Sequence, residues 1–106
     1  MNIVAITSCP SGVAHTYMSA ESLEKNFKEA GHNIKVETQG SIGTENKLTE
    51  KEIAAADYVI LTNDVAISGE ERFKGKIIIR ISTGDAIKKA KAIVKKIEQH
   101  YSQKNK

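Results

Sequence analysis

Residues 2–16 read NIVAITSCPSGVAHT, and this stretch decides the fold. Its first part, NIVAIT, is a short apolar and β-branched run, typical of a strand that is buried on both faces. The second part carries the only cysteine, Cys9, and the only proline, Pro10, of the chain. Apolar residues at helical spacing follow from Ala14 onward. The stretch therefore predicts a strand that passes directly into a helix, with the thiol at the junction.

A thiol at such a junction lies near unpaired backbone N–H groups and the positive end of the helix dipole. This environment favours a thiolate and a bound anion. We therefore expect Cys9 to be a nucleophile that carries a phosphoryl group.

Length and composition limit the possibilities. The chain has 106 residues, of which 40% are hydrophobic and 27% charged, and its formal net charge is +3. These values indicate one globular domain, which we place at residues 1–101, followed by a polar tail at 102–106. No segment resembles a signal peptide or a membrane span, so we expect a cytoplasmic protein. Lysines cluster late in the chain without interleaved aromatic residues, which indicates a solvated helix face rather than a nucleic-acid site.

The remaining sequence alternates strand and helix patterns. The first helix, near residues 14–30, has one apolar face, and Gly31 follows as its cap. Asn33–Thr38 reads as a second strand near an edge, with Lys35 and Glu37 facing outward. The apolar face of the first helix consists of Thr16, Ala20, Leu23, Phe27 and Ala30.

A short second helix has complete start signals. Thr49 and Glu52 fit a capping box, and Leu48 and Ile53 fit a hydrophobic staple.

Residues 58–61 and 76–81 are the third and fourth strands, and residues 65–75 could hold one helical turn. Residues 82–85 lead into one final helix, for which Thr83 and Asp85 are candidate N-caps. Its buried stripe is Ile87, Ala90, Val94, Ile97 and Tyr101, with Lys88, Lys89, Lys91, Lys95 and Lys96 opposite.

This order predicts an α/β fold, a small three-layer α/β/α domain with a four-stranded parallel sheet in the strand order 2-1-3-4. The loops after the four strands carry Cys9, Gln39-Gly40, Asn63-Asp64 and Thr83-Gly84, so all of them can meet at one rim. Ligands of such sheets bind where the strand order reverses, and the first strand is the candidate for that position. His32 and His100 are expected to be solvated, and we expect neither a metal site nor a cofactor.

Cysteine-dependent phosphatases use a thiolate, a five-residue loop, and then Arg followed by Ser or Thr. Here five residues separate Cys9 from His15 and Thr16, so the frame is shared but the arginine is missing. Without that arginine fork, a phosphoryl group would be held more loosely, which suits a carrier. Thr16 could donate its hydroxyl to the sulfur, and Pro10 has no N–H to offer. The expected N–H donors are Ser11, Gly12, Val13, Ala14 and His15.

Other interpretations stay open on these residues. Cys9 could be a buried small hydrophobic residue, and His15 could simply bond the backbone at the helix start or add positive charge if protonated. Asp64 could tune the thiol or cap a turn. The domain could be a cysteine-dependent phosphatase or a regulatory ligand-binding domain. A redox module is disfavoured because no second cysteine is present.

Two separated motifs carry a specific resemblance. Residues 9–18, CPSGVAHTYM, and residues 36–43, VETQGSIG, resemble the fructose-type enzyme IIB (EIIB) domain of the bacterial phosphoenolpyruvate-dependent sugar phosphotransferase system (PTS). The resemblance spans nearly the whole chain. The familiar motif commonly has Thr after Cys-Pro, whereas this chain has Ser11, which keeps the hydroxyl.

The resemblance implies a phosphotransferase that works through phosphocysteine. Cys9 would take a phosphoryl group from a phosphohistidine of the IIA partner and pass it to fructose or a related hexose, bound by the membrane partner IIC. The domain would be cytoplasmic and recruited to the inner face of the cell membrane through IIC. Because both partners must reach one thiol, the rim should be an exposed docking patch, with Ser11, Val13, Tyr17, Gln39 and Asp64 as candidates.

Overall fold

The computed structural model describes residues 1–8, 13–40 and 43–104. These residues form a sheet in the strand order β3-β2-β1-β4-β5, in which β3 pairs antiparallel to β2 and the other pairs are parallel. The strands are β1 (Asn2–Thr7), β2 (Asn33–Gly40), β3 (Gly43–Glu45), β4 (Tyr58–Thr62) and β5 (Ile78–Ile81). The helices are α1 (Val13–Glu29), α2 (Glu50–Ala55), α3 (Thr83–Lys88) and α4 (Ala90–Lys104), with a 3-10 turn at Glu70–Phe73.

The predicted class of the fold is confirmed, and the four predicted strands lie in the predicted order. The strand count of four is wrong, because Gly43–Glu45 returns from β2 as a short fifth strand. Three exposed residues are too few to show an alternating pattern, so the sequence predicted no strand here. Within the described ranges, no helix is long and apolar enough to cross a membrane.

The final helix is divided into two, contrary to the prediction of one. Lys89 leaves the helical conformation at φ −119° and ψ 22°, between α3 and α4. The N-cap of α3 is Ser82, whose hydroxyl accepts a hydrogen bond from the backbone N–H of Asp85 at 3.0 Å, so the assignment of the cap to Thr83 or Asp85 was wrong. The five predicted lysines are exposed as expected.

Both faces of β1 are buried, as its uninterrupted apolar sequence predicts. Ile3 and Ala5 belong to a cluster with Leu23 and Phe27 of α1, on one side of the sheet. Val4 and Ile6 belong to a second cluster with residues of α2 and the 3-10 turn, on the other side. The sheet is therefore the middle layer of three. On α1 the predicted apolar face is buried except at its last member, Ala30, which is exposed beside the Gly31 cap at φ 87°.

The capping box of α2 forms as predicted. The Thr49 hydroxyl accepts from the backbone N–H of Glu52 at 3.1 Å, and the Glu52 carboxylate accepts from that of Thr49 at 2.8 Å. Lys35 also donates to Glu52 at 2.8 Å, and this ion pair, with the cap, lowers the pKa of Glu52 to about 2. Leu48 and Ile53 are both buried in one cluster, as the predicted staple requires.

The prediction that Glu37 faces outward is wrong, since only 1% of this residue is exposed. Its carboxylate accepts two hydrogen bonds from Arg72, at 2.9 and 3.1 Å, and one from the backbone N–H of Leu48 at 2.9 Å. Burial alone would raise the pKa of Glu37, but Arg72, Gln39 and Leu48 outweigh it and lower that pKa. The expectation failed because β2 lies inside the sheet and the 3-10 turn covers this face.

Replacing Glu37 by Gln should lower the free energy of unfolding by about 3 kcal/mol near neutral pH, because Arg72 loses a buried partner. Since the pKa of Glu37 lies below 4.5 in the folded state, its stabilising effect is full above that pH and is lost as the pH falls further. Urea unfolding measured from pH 7 downward should show that the difference in the free energy of unfolding between wild type and Glu37→Gln shrinks below about pH 4.5.

Glu29→Gln is the matched control, because Glu29 is exposed at the end of α1. Its stability should follow that of the wild type at every pH. If the difference in the free energy of unfolding between Glu37→Gln and wild type stayed constant through the acidic range, this would contradict the charged state of Glu37.

Candidate functional site

The carboxyl ends of β1, β2 and β4 are joined at Ser8. Its backbone N–H donates to the Thr62 hydroxyl at 2.9 Å, and the same hydroxyl donates to the Ser8 carbonyl at 3.2 Å. On the other side, the Ser8 hydroxyl donates to the Gln39 carbonyl at 2.9 Å. Ser8 and Thr62 are both buried. We call these three residues the Ser8 clamp; it fixes the direction in which the chain leaves β1.

The clamp lies at the point where the strand order reverses. β1 is central, with β2 on one side and β4 on the other. The chain thus crosses to opposite sides of β1, which is the arrangement that leaves a ligand crevice beyond the carboxyl ends of the strands. The sequence prediction placed the site at this position.

Cys9, Pro10, Ser11 and Gly12 lie outside the described residues, as do Ser41 and Ile42. The predicted nucleophile and the predicted N–H donors Ser11 and Gly12 therefore stay predictions. What the structure does describe is the chain on both sides of them: Ser8 in the clamp and Val13 at the start of α1.

The first turn of α1 has an exposed side and a buried side that bonds to β1. Ala14 and His15 are exposed, while Thr16 is fully buried. The Thr16 carbonyl accepts from the hydroxyl of Thr7 and from that of Ser19, each at 2.9 Å. The bond from Thr7 ties the helix start to the last residue of β1. The proposed contacts of Val13, Ala14, His15 and Thr16 with a phosphoryl group remain predictions.

Tyr17 links α1 to the β2–β3 hairpin. Its hydroxyl donates to the carboxylate of Glu45, and this bond, together with burial and the negative charge, raises the pKa of Tyr17. A Cβ atom at Gly40 would lie 3.6 Å from the Tyr17 hydroxyl oxygen, so the ring sits closely over the end of β2. Tyr17 is half-buried, and its docking role is a prediction that the structure leaves untested.

Gln39 and Asp64, two further docking candidates, bond within the domain. The Gln39 amide nitrogen donates to Glu37 and to the Ser68 carbonyl, both at 2.9 Å, and its oxygen accepts from the Ser68 N–H at 3.0 Å. Asp64 accepts from the backbone N–H of Thr83 at 2.7 Å and from the Thr83 hydroxyl at 3.0 Å. Both side chains order loops at the rim, and docking by either remains a prediction.

The two later histidines do not behave as free solvated side chains. His32 was expected to be solvated, but its side chain is only 14% exposed and lies 2.7 Å from a Glu98 oxygen. His100 is exposed as expected, yet its Nδ1 lies 2.6 Å from the hydroxyl of the buried Tyr58. Among the residues that the structure describes, no group of three or more His, Cys, Asp or Glu side chains could hold a metal.

Both arginines of the chain are engaged with carboxylates. Arg72 binds Glu37 through two nitrogens, and Arg80 donates to Glu70 at 2.5 Å. The bond of Arg72 raises its pKa further, so its charge is permanent. A guanidinium clamp on a phosphate, of the kind that cysteine-dependent phosphatases use, would require one of these residues to leave its partner.

Sequence reasoning missed the Ser8 clamp and the Glu37–Arg72 pair. Thr62 ends an apolar run, and Arg72 is 35 residues from Glu37, so no local spacing connects either residue with the site. The one available signal was Glu37 itself, a charged residue within a β-rich run.

Comparison with known proteins finds one family over almost the whole chain. The family model for the PTS lactose/cellobiose-specific IIB subunit matches residues 4–96. The PTS fructose-like EIIB component 2 of Escherichia coli K12 is 59% identical over 101 residues, which cover 95% of each chain. A fructose-like EIIBC component of the same organism is 56% identical over 90 residues, covering 83% of this chain and 19% of that longer protein.

The solution structure of an enzyme IIB subunit of the PTS from Escherichia coli K12 superimposes with a TM-score of 0.92 at 39% identity. It covers 99% of this chain and 97% of the other. Sequence and structure agree over almost the full length, and the resemblance first seen in two motifs is confirmed. The chain belongs to the enzyme IIB family of the phosphotransferase system, whose members are phosphotransferases.

Proposed function

We propose that this protein is a phosphocarrier in which Cys9 holds the phosphoryl group during sugar uptake. The observation that carries the proposal is the place of Cys9 in the chain, directly after the Ser8 clamp and four residues before α1 begins at Val13. This position follows the central strand, where the strand order reverses.

The reaction consists of two transfers. The Cys9 thiolate attacks the phosphorus of a phosphohistidine on the IIA partner, so that the N–P bond breaks, an S–P bond forms and the imidazole leaves as the neutral ring after taking up a proton. A sugar hydroxyl then attacks the same phosphorus. The S–P bond breaks, the thiolate is restored, and the hydroxyl proton is released to a base or water.

The first turn of α1 supports the binding of the phosphoryl group. A helix of 17 residues presents unpaired N–H groups and a partial positive charge at its start, and both favour a phosphate. The bond from Thr7 to the Thr16 carbonyl and the Ser8 clamp hold the two sides of the loop at fixed positions. Fixed ends of the segment would lower the entropy cost of placing the reacting atoms.

Loose binding is consistent with a carrier rather than a phosphatase. Arg72 and Arg80 are bound to Glu37 and Glu70, so the phosphoryl group would be held by N–H groups and hydroxyls of residues 11–16. These donors carry less charge than a guanidinium fork, and the group can leave for a second acceptor.

The names of the relatives support the proposed partners and the proposed sugar. The fused name EIIBC shows that the B component of a relative shares one chain with a C component. We infer that this chain serves a IIA donor and a membrane IIC partner at the inner face of the cell membrane, and that the final acceptor is fructose or a related hexose. Gln39 belongs to the clamp, Tyr17 lies on α1 with its ring near Gly40, and Asp64 follows β4; all three would contribute to the docking surface.

Incubation with a phosphorylated IIA donor should add the mass of one phosphoryl group to the wild-type chain. The same treatment of Cys9→Ser should add none within the period that saturates the wild type, because a serine hydroxyl has a far higher pKa than a thiol. Intact-mass spectrometry measures both. Equal labelling of Cys9→Ser would overturn the proposal, and His15→Ala serves as the control that should still be labelled.

The thiol should also react as a thiolate. We expect the rate of alkylation of Cys9 by iodoacetamide to rise through a pKa below the value of about 8.5 for a free cysteine, because the helix dipole favours the anion. A rate that rose only at or above that pH would contradict the predicted electrostatic environment. The chain has one cysteine, so the measurement needs no other substitution.

Replacing Thr62 by Val should slow phosphoryl transfer about tenfold, because the start of the loop moves when the clamp loses its bonds on one side. The variant should also lose about 1–3 kcal/mol of stability, since the buried N–H of Ser8 is left unpaired. Thr62→Ser keeps the hydroxyl and should retain the transfer rate. Single-turnover rates per folded molecule separate the two effects, and an unchanged rate in a destabilised Thr62→Val would show that the clamp is only structural.

A further inference from the structure

An open groove runs between the outer strand β5 and helix α4. It encloses about 710 Å³, and its floor includes Tyr58, Ile79 and Ile81 while its wall on α4 includes Ile93 and Ile97. Ile79, Ile81 and Ile93 are only partly buried, although they pack against the core. The groove therefore exposes an apolar strip beside the sheet.

The edge of the sheet forms one border of this groove. The carbonyls of Ile77 and Ile81 accept hydrogen bonds from the backbone N–H groups of Val59 and Asn63, at 2.9 and 2.8 Å. Because successive residues of a strand bond to opposite sides, the N–H and C=O groups of Ile78 and Arg80 point away from β4. In the described part of the chain no strand pairs with this edge. It can accept one more strand.

Two exposed lysines, Lys89 and Lys96, line the groove together with one carboxylate, Asp85, which lies 3.9 Å from Lys89. Arg80 also lines the groove, but its guanidinium is bound to Glu70, so we count only the two lysines as cations that face an occupant. The side chain of Lys89 is 68% exposed. An occupant with carboxylates beside apolar side chains would complement this lining.

Charge argues against a second copy of this chain as the occupant. A two-fold pairing of β5 with its own copy would bring Lys89 and Lys96 of one chain towards the same lysines of the other. Nucleic acid is also a poor match, because the ring of Tyr58 is fully buried and the exposed floor offers isoleucine rather than stacking surfaces.

We propose that this groove binds an extended acidic segment of a partner protein, which adds to β5 as a further strand. Its backbone would pair with Ile78 and Arg80, alternate apolar side chains would cover Ile79 and Ile93, and its carboxylates would lie near Lys96. One end of the groove is lined by Asn63 and Ser82, at the carboxyl ends of β4 and β5. A partner held there would stand beside the same rim as the Ser8 clamp. The binding itself does not depend on the proposed phosphocarrier activity.

The test is a selection of random dodecapeptides displayed on phage against the full immobilised chain. Enriched peptides should be rich in Asp and Glu, with apolar residues at alternate positions. Synthetic copies should shift the backbone amide NMR signals of Ile78–Ile81 and of α4, and should protect the amides of Ile78 and Arg80 from hydrogen exchange. A double Lys89→Glu, Lys96→Glu variant should bind them at least about tenfold more weakly at low salt.

Lys95→Glu is the matched control, because Lys95 is exposed on the same helix but does not line the groove. It should bind the peptides as the wild type does. The proposal fails if selection enriches no groove-binding peptide, if enriched peptides lack acidic residues, or if the double variant binds equally. It also fails if the chain sediments as a dimer joined through β5, or if a single-stranded oligonucleotide displaces the peptides from these residues.

Discussion

The clamp on Ser8 is the constraint on which the site depends. A parallel strand in the middle of a sheet would normally leave its last backbone groups to the loop that follows, yet here Thr62 satisfies both the N–H and the C=O of Ser8. Gln39 accepts the Ser8 hydroxyl from the other neighbouring strand. The segment that carries Cys9 therefore leaves β1 from a fixed point between two strands, as the proposed phosphoryl transfer through Cys9 requires.

The clamp is continuous with the buried carboxylate of Glu37. Gln39 connects the two, because its carbonyl accepts from Ser8 while its amide donates to Glu37 and to Ser68. Arg72 completes the network and fastens the 3-10 turn to the sheet. Removal of Arg72 would leave the buried carboxylate of Glu37 without its cation, so the network ties the order of the rim to the electrostatics of the core.

Residues with local signals were predicted well from sequence. The capping box of Thr49 and Glu52, the central position of the first strand and the family itself follow from patterns of a few residues. The predictions that failed concern residues whose partners are distant in sequence. Glu37 was predicted to face outward from an edge strand, but it is buried against Arg72. His32 was predicted to be solvated in a turn, but it lies beside Glu98. The break at Lys89 between α3 and α4 interrupts a continuous apolar stripe, so periodicity alone could not place it.

In the proposed mechanism, sulfur and not a ring nitrogen carries the phosphoryl group. Phosphorus NMR of the chain after phosphorylation by a IIA donor tests this most directly, because His15 lies exposed only six positions after Cys9 and is the alternative acceptor. We expect one resonance at the position of an alkyl thiophosphate, which disappears in Cys9→Ala and persists in His15→Ala. A resonance at the position of a phosphohistidine, lost in His15→Ala, would contradict it.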